Sequence, residues 1–258
     1  MFTNVARSTY TPKVMAAAPS ARVLEKARNT ITIEGMKTTP LVLMLQLHVP
    51  NNAATNVPLA AGYLKAYAHS LGLLEQIAIE FVPRALADHA GDAMLVEYIV
   101  AQAPCMLALS LYTWNSERSL GIAEQARRRL PELVVVVGGP EVQHDNLWVV
   151  EHSAVDVAVV GEGEQTFAEL LQHMAAQYRQ GAGTLAAGAL AAIPGIIFRD
   201  GTQRHTTPER VALADLAVVP SPYLLGYLDV APGAMLMVEV SRWCPYACSF
   251  CLYGRNMG

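Results

Sequence analysis

Three of the four cysteines in this 258-residue chain fall together as Cys244-Pro-Tyr-Ala-Cys248-Ser-Phe-Cys251. A turning backbone can aim sulfurs at this spacing inward, so the three thiolates can converge on one soft metal centre. A 4Fe-4S cube held by three protein thiolates leaves one iron open to an exogenous chelating molecule. Two other chemistries compete for the same sulfurs. A structural zinc site wants a fourth ligand, yet the remaining cysteine, Cys105, falls in a predicted core strand, and the nearest upstream histidine, His205, is remote in sequence. A redox dithiol uses a CxxC pair in a different strand-to-helix context. Cysteines this few and this clustered argue against a disulfide scaffold and for a reducing cytoplasm.

The wider stretch Glu239-Val-Ser-Arg-Trp-Cys244-Pro-Tyr-Ala-Cys248-Ser-Phe-Cys251 resembles the cluster loop of radical S-adenosylmethionine (radical SAM) enzymes, including the aromatic residue before the last cysteine. The resemblance implies that Cys244, Cys248 and Cys251 ligate a 4Fe-4S cluster whose open iron binds S-adenosylmethionine. It further implies that the reduced cluster cleaves this molecule to release a 5′-deoxyadenosyl radical, and that Phe250 packs near the adenine. Family members often carry glycine where this chain has Trp243.

The loop must be delivered by a strand, and Met235 to Val240 is an apolar run of strand length. Upstream, short apolar runs at Leu41 to Leu47, Gln76 to Val82, Met106 to Leu111, Leu133 to Val137 and Val155 to Val160 alternate with helical-period segments. Pro58 opens one helix, with Leu59, Tyr63, Tyr67 and Leu71 on a shared face and Gly72 at its end. Others are expected at Asp92 to Gln102, Ser116 to Leu130 (stopped by Pro131) and Glu164 to Tyr178. This pattern predicts an α/β fold, a Rossmann-like doubly wound parallel sheet covered on both faces. Right-handed crossovers and a switch in strand order place a ligand cleft at the C-terminal strand ends. There the loops at His48 to Val57, Tyr112 to Ser116, Gly138 to Asn146 and Gly161 to Glu164 converge.

Within residues 39 to 177, three segments resemble the cobalamin-binding domain that precedes the catalytic barrel in one radical SAM subgroup. They are Asn51 to Gly62, Gly138-Gly-Pro-Glu-Val142, and Val155-Asp-Val-Ala-Val-Val-Gly-Glu-Gly-Glu-Gln-Thr-Phe167. The resemblance implies that Gly138, Gly139, Glu141, Gly161, Glu162, Gly163, Thr166 and Tyr112 lie at the cobalamin, and that the outcome is most commonly methyl transfer to an unactivated carbon, with ring contraction and other rearrangements in some members. Physically, glycines let backbone approach a large flat ligand closely. A nucleotide phosphate is less comfortable, because Glu162 and Glu164 put negative charge at a helix N-terminus. Gly161 and Gly163 equally suit a plain strand-to-helix turn with Glu164 as its N-terminal acid. The DxHxxG motif of histidine-ligated cobalamin domains is missing: His48 precedes Val49-Pro50 without the upstream aspartate, and His144 reads as a loop histidine. Trp114 beside Tyr112 could pack on the corrin or within its own loop.

The chain is 53% apolar and 16% charged, with a formal net charge of −4. Whole-chain disorder is therefore excluded, and general attraction to nucleic acid is not expected. No run approaches the roughly 20 apolar residues of a spanning helix, so a soluble cytoplasmic protein without a membrane partner is expected. Residues 1–36 form an acid-poor arm, read as disordered or as preceding a true start at Met36. Residues 37–180 are read as the cobalamin-binding domain and 181–232 as a linker with a hairpin at Asp200-Gly201. Residues 233–258 would begin the radical SAM domain. The chain ends soon after Cys251, before the further strand-helix units of such a barrel. The expectation is thus the N-terminal portion of a cobalamin-dependent radical SAM enzyme, with a separate chain as one source of the remaining barrel. It would act on a small-molecule or peptide substrate with an external electron donor. The alternative is a non-catalytic corrinoid-binding module with a vestigial cysteine tail.

Overall fold

The computed structural model describes residues 39–49, 57–229, 236–242, 244, 246 and 248–251; the N-terminal arm and Pro50 to Asn56 lie outside them. Seven strands make one sheet: β1 (Leu41–Leu45), β2 (Ala78–Phe81), β3 (Met106–Ser110), β4 (Val134–Gly138), β5 (Val157–Val159), β6 (Ile196–Asp200) and β7 (Gln203–Thr206), in the order β2-β1-β3-β4-β5-β6-β7. The first five strands are parallel, and β6 and β7 are added antiparallel. The order reverses at β1, so β1 and β3 flank a switch point where the loops leaving them diverge and open a crevice.

Helices α1 (Leu59–Ser70), α2 (Arg84–His89), α3 (Asp92–Gln102), α4 (Ser116–Arg129), α5 (Leu147–Val150), α6 (Glu164–Arg179) and α7 (Ala187–Leu190) complete the fold. Alternate strand residues feed two cores, as a sheet covered on both faces requires. Leu43, Leu45, Leu107, Leu109, Val135 and Val137 pack with Leu95, Ile99, Leu120 and Ala123 of α3 and α4. Val42, Met44, Met106, Ala108, Val134 and Val136 face the opposite way, toward Ala61 and Ala68 of α1 and Phe167, Leu170, Leu171 and Met174 of α6.

Two sequence expectations are corrected. The face of α1 marked by Leu59, Tyr63, Tyr67 and Leu71 meets the core only in part: Tyr67 packs against it and Leu71 is exposed, while the buried residues are Ala61, Gly62, Ala66 and Ala68. The reason is close approach. A Cβ on Gly62 would stand 2.7 Å from Leu228 Cδ1 and 3.0 Å from Pro222 Cβ, so the segment after β7 packs where a larger side chain would sit. The second correction concerns the apolar run before the cysteines: Leu236 to Val240 is described without strand pairing, its side chains exposed. The hairpin turns at Gly201, φ +58°, and its pairing with β5 carries the sheet past residue 180 into the segment read as a linker. Among the described residues no helix is long and apolar enough to cross a membrane.

Candidate functional site

The C-terminal edge of the parallel strands is organised around Asn115, which is buried. Its amide donates to Leu47 O at 3.1 Å and to Ser110 O at 3.2 Å, and its oxygen accepts from Tyr112 N at 2.9 Å. One side chain thus joins the loop after β1 to the loop after β3 across the switch point. No sequence motif marked it, because its partner Leu47 is 68 residues away.

On this frame Tyr112 and Trp114 stack, ring centroids 4.6 Å apart at 11°, with Trp114 46% exposed. The next loop is held by Gly139, whose φ of +106° and approach to Leu111 exclude a side chain: a Cβ there would stand 2.6 Å from Leu111 O. Gly138 O accepts from Leu111 N at 2.7 Å. Glu141 accepts from Thr113 Oγ1 at 2.5 Å, and its carbonyl accepts from Asn146 at 2.8 Å. Gly138, Gly139, Glu141 and Tyr112 are therefore brought together on two adjacent loops.

The third loop, between β5 and α6, is different. Gly161 is exposed with open space around it, but its acidic neighbours point into the fold. Glu162 accepts from Leu213 N at 2.6 Å. Thr166, fully buried, donates to Pro194 O and accepts from Arg210 Nε at 2.6 Å. Glu164 starts α6 without capping it; its carboxylate takes a two-point contact from Arg242, at 2.6 and 3.0 Å. Arg242 also meets Glu162 at 3.4 Å and donates to Glu239 at 2.9 Å. Burial alone would lower the affinity of this guanidinium for its proton, but the hydrogen bonds and charge of Glu164 and Glu239 more than offset it. Sequence reasoning missed Arg242, which is half-buried only two positions before Cys244. The same tail reaches the aromatic pair: burial, then the charge of Glu239, raises the pKa of the Tyr112 hydroxyl.

Cys244 and Cys251 are half-buried and Cys248 is exposed. A turn joins the last two, Cys251 N donating to Cys248 O at 3.1 Å, and Phe250 is 90% exposed. Among the described residues no group of three or more His, Cys, Asp or Glu is arranged to hold a metal ion. Cys105 sits at the N-terminal end of β3, its thiol donating to Leu41 O at 3.2 Å. It lies at the opposite edge of the sheet from these loops. His48 contacts Ala87 O at 3.4 Å and His144 stands 3.8 Å from Glu209.

Residues 55–171 match the family model for the B12 binding domain. The chain is 34% identical over 212 residues to the cobalamin-dependent radical SAM methyltransferase TokK of Streptomyces tokunonensis, covering 77% of this chain and 28% of that protein. It is 34% identical over 219 residues to the 2-(S-pantetheinyl)-carbapenam-3-carboxylate methyltransferase of Streptantibioticus cattleyicolor, covering 79% and 29% respectively. The chain thus spans less than a third of the length of these two curated relatives. Its fold is similar to that of the cobalamin-dependent S-adenosylmethionine radical enzyme OxsB with aqua-cobalamin and S-adenosylmethionine bound, with a TM-score of 0.55 and 14% identity over 74% of this chain and 25% of that one.

Proposed function

We propose, from the match of residues 55–171 to the B12 binding domain model, that the chain is the cobalamin-holding part and cluster loop of a radical SAM methyltransferase. The observation that carries this reading is a juxtaposition. The glycine loops of the matched domain open at the C-terminal sheet edge, and the segment bearing Cys244, Cys248 and Cys251 is tied to one of them through Arg242 and Glu164.

The residues present suit both groups. Gly161 would offer a side chain nothing to touch within 4 Å, and Gly138 only Val159 at 4.0 Å. On the loop after β3, Trp114 lies exposed against Tyr112. Such a shelf of bare backbone and flat aromatic surface suits a broad planar ligand. Backbone at Gly138, Gly139, Gly161 and Gly163, with Tyr112 and Glu141, would hold cobalamin; Glu162 and Thr166, bonded to Leu213 and Arg210, would shape the loop. Three soft thiolates suit iron and sulfide, and Cys105, at the far edge of the sheet, is not placed to complete a zinc site. When bound, the cobalamin would supply a transferable methyl group and the cluster an electron to S-adenosylmethionine. The substrate would be a small molecule or peptide methylated at an unactivated carbon, with an external electron donor.

Anaerobic reconstitution of the full chain tests the reading. The expected result is a broad absorption near roughly 400 nm from thiolate-bound iron–sulfur that disappears in Cys248→Ala, together with cobalamin retained through desalting by both proteins. Equal iron in wild type and variant overturns the cluster assignment, and cobalamin lost on desalting overturns the other half. Retained cobalamin without iron would instead identify a non-catalytic corrinoid module.

A further inference from the structure

The geometry points to Arg242 as a latch that holds the cysteine-bearing segment against the loop between β5 and α6, and so sets the separation of the two cofactor sites. Four contacts support it: two to Glu164 at 2.6 and 3.0 Å, one to Glu162 at 3.4 Å and one to Glu239 at 2.9 Å. The side chains of Arg242 and Glu164 are only 15% and 6% exposed. A surface ion pair would be worth little, but a planar guanidinium meeting a buried carboxylate at two points is strong and fixes orientation. Removing one partner strands the other charge in the interior.

Position gives the contact its consequence. Arg242 precedes Cys244 by two residues, a reach of at most about 7 Å of chain, and Glu164 follows Gly161 by three, at most about 11 Å. The sulfurs and the glycine shelf are therefore tethered to the same ion pair by short lengths of backbone. Leu236 to Val240 makes no strand pairing and exposes its apolar side chains; the Tyr223 hydroxyl donates to Met237 O at 2.7 Å, but Arg242 is the tie that stands beside the cysteines. Glu239 works from the segment's own side, directing the guanidinium toward α6. The same carboxylates exclude a second use of this loop: with Glu164 and Glu162 committed to Arg242 and Leu213, the helix start is not free to bind an anion.

Two measurements on the full chain test the latch. The first uses no cofactor. A protease must draw a stretch of chain off the surface, so chymotrypsin cutting at exposed Tyr246 and Phe250 reports how firmly the segment is held. Cleavage should be faster by about tenfold in Arg242→Ala and intermediate in Arg242→Lys, which keeps the charge but loses the two-point fork. Equal cleavage in all three proteins overturns the latch. Should Arg242→Ala fail to fold, Arg242→Lys decides the same question, because it leaves no buried carboxylate unpaired.

The second measurement rests on the proposed function above. In chain loaded with both groups, the magnetic coupling between cob(II)alamin and the reduced cluster should be strong in wild type, weakened in Arg242→Ala and partly restored in Arg242→Lys. Unchanged coupling at equal iron and cobalamin content overturns the positioning role. Wild-type chain that takes up neither group refutes the proposed function, while the cleavage comparison still decides the latch.

Discussion

Burial pushes the Cys105 thiol from its ordinary 9.0 up to about 11, while the other three cysteines sit in a segment that is partly open to solvent. A thiol whose folded pKa lies above its unfolded value adds stability that is complete below about 9 and is lost as pH rises through about 11. The urea midpoint of wild type should therefore exceed that of Cys105→Ala most at neutral pH, and the gap should narrow between pH 9 and 11. A gap that widens with pH would contradict the burial argument. The same protonation makes Cys105 the last of the four to be alkylated by iodoacetamide at pH 8, since the thiolate is the nucleophile. Its place at the foot of an apolar strand, Met106 to Leu111, was legible, although it proves half-buried and packed against the core rather than inside it. The role of Arg242 was not, because its partner Glu164 lies 78 residues away and a single long-range ion pair leaves no periodic trace.

Elements show the same division. The strand positions could be read because a central parallel strand is buried on both faces and must be apolar at every step, as in Val134 to Val137. Helix α6 could be read from Phe167, Leu170, Leu171 and Met174, spaced three to four residues apart on one buried face. Helix α1 misled because its large residues suggest one face while its small ones permit close packing by Pro222 and Leu228, a contact decided by chain more than 150 residues later. Asn115 is the element-scale counterpart of the latch, pinning the start of α4 to the ends of β1 and β3. Asn115→Ala removes the hydrogen bonds to the carbonyls of Leu47 and Ser110 and from the amide of Tyr112, and should cost about 2–3 kcal/mol in urea denaturation with an unchanged m-value. Asn115→Asp should cost at least as much at pH 7, since it turns a carboxylate toward the oxygens of Leu47 and Ser110, and should recover partly as pH falls toward about 4, because those surroundings raise its pKa in the fold above the unfolded value. Two variants no less stable than wild type would show that the switch-point loops hold themselves.

At the scale of the molecule, the two proposed sites are built from different parts and ought to be separable in stability. The shelf belongs to loops that leave β3, β4 and β5, whose strands carry both cores, whereas the cysteines belong to a segment outside the sheet. A ligand that binds only the native state stabilises it by mass action, about 2.7 kcal/mol at a hundredfold excess over Kd. For a cooperative unit of this size that corresponds to a rise in Tm of about 5–10 °C. Hydroxocobalamin should therefore raise the melting temperature of wild type and of Cys248→Ala equally, because removing one sulfur leaves the glycine loops untouched. Asn115→Ala, which loosens the shelf itself, should show a smaller rise at the same ligand concentration. A rise that vanishes in Cys248→Ala would mean the cysteine segment is itself part of the cobalamin site. No rise in any of the three proteins would mean that the sheet edge, for all its bare backbone, does not bind the corrin.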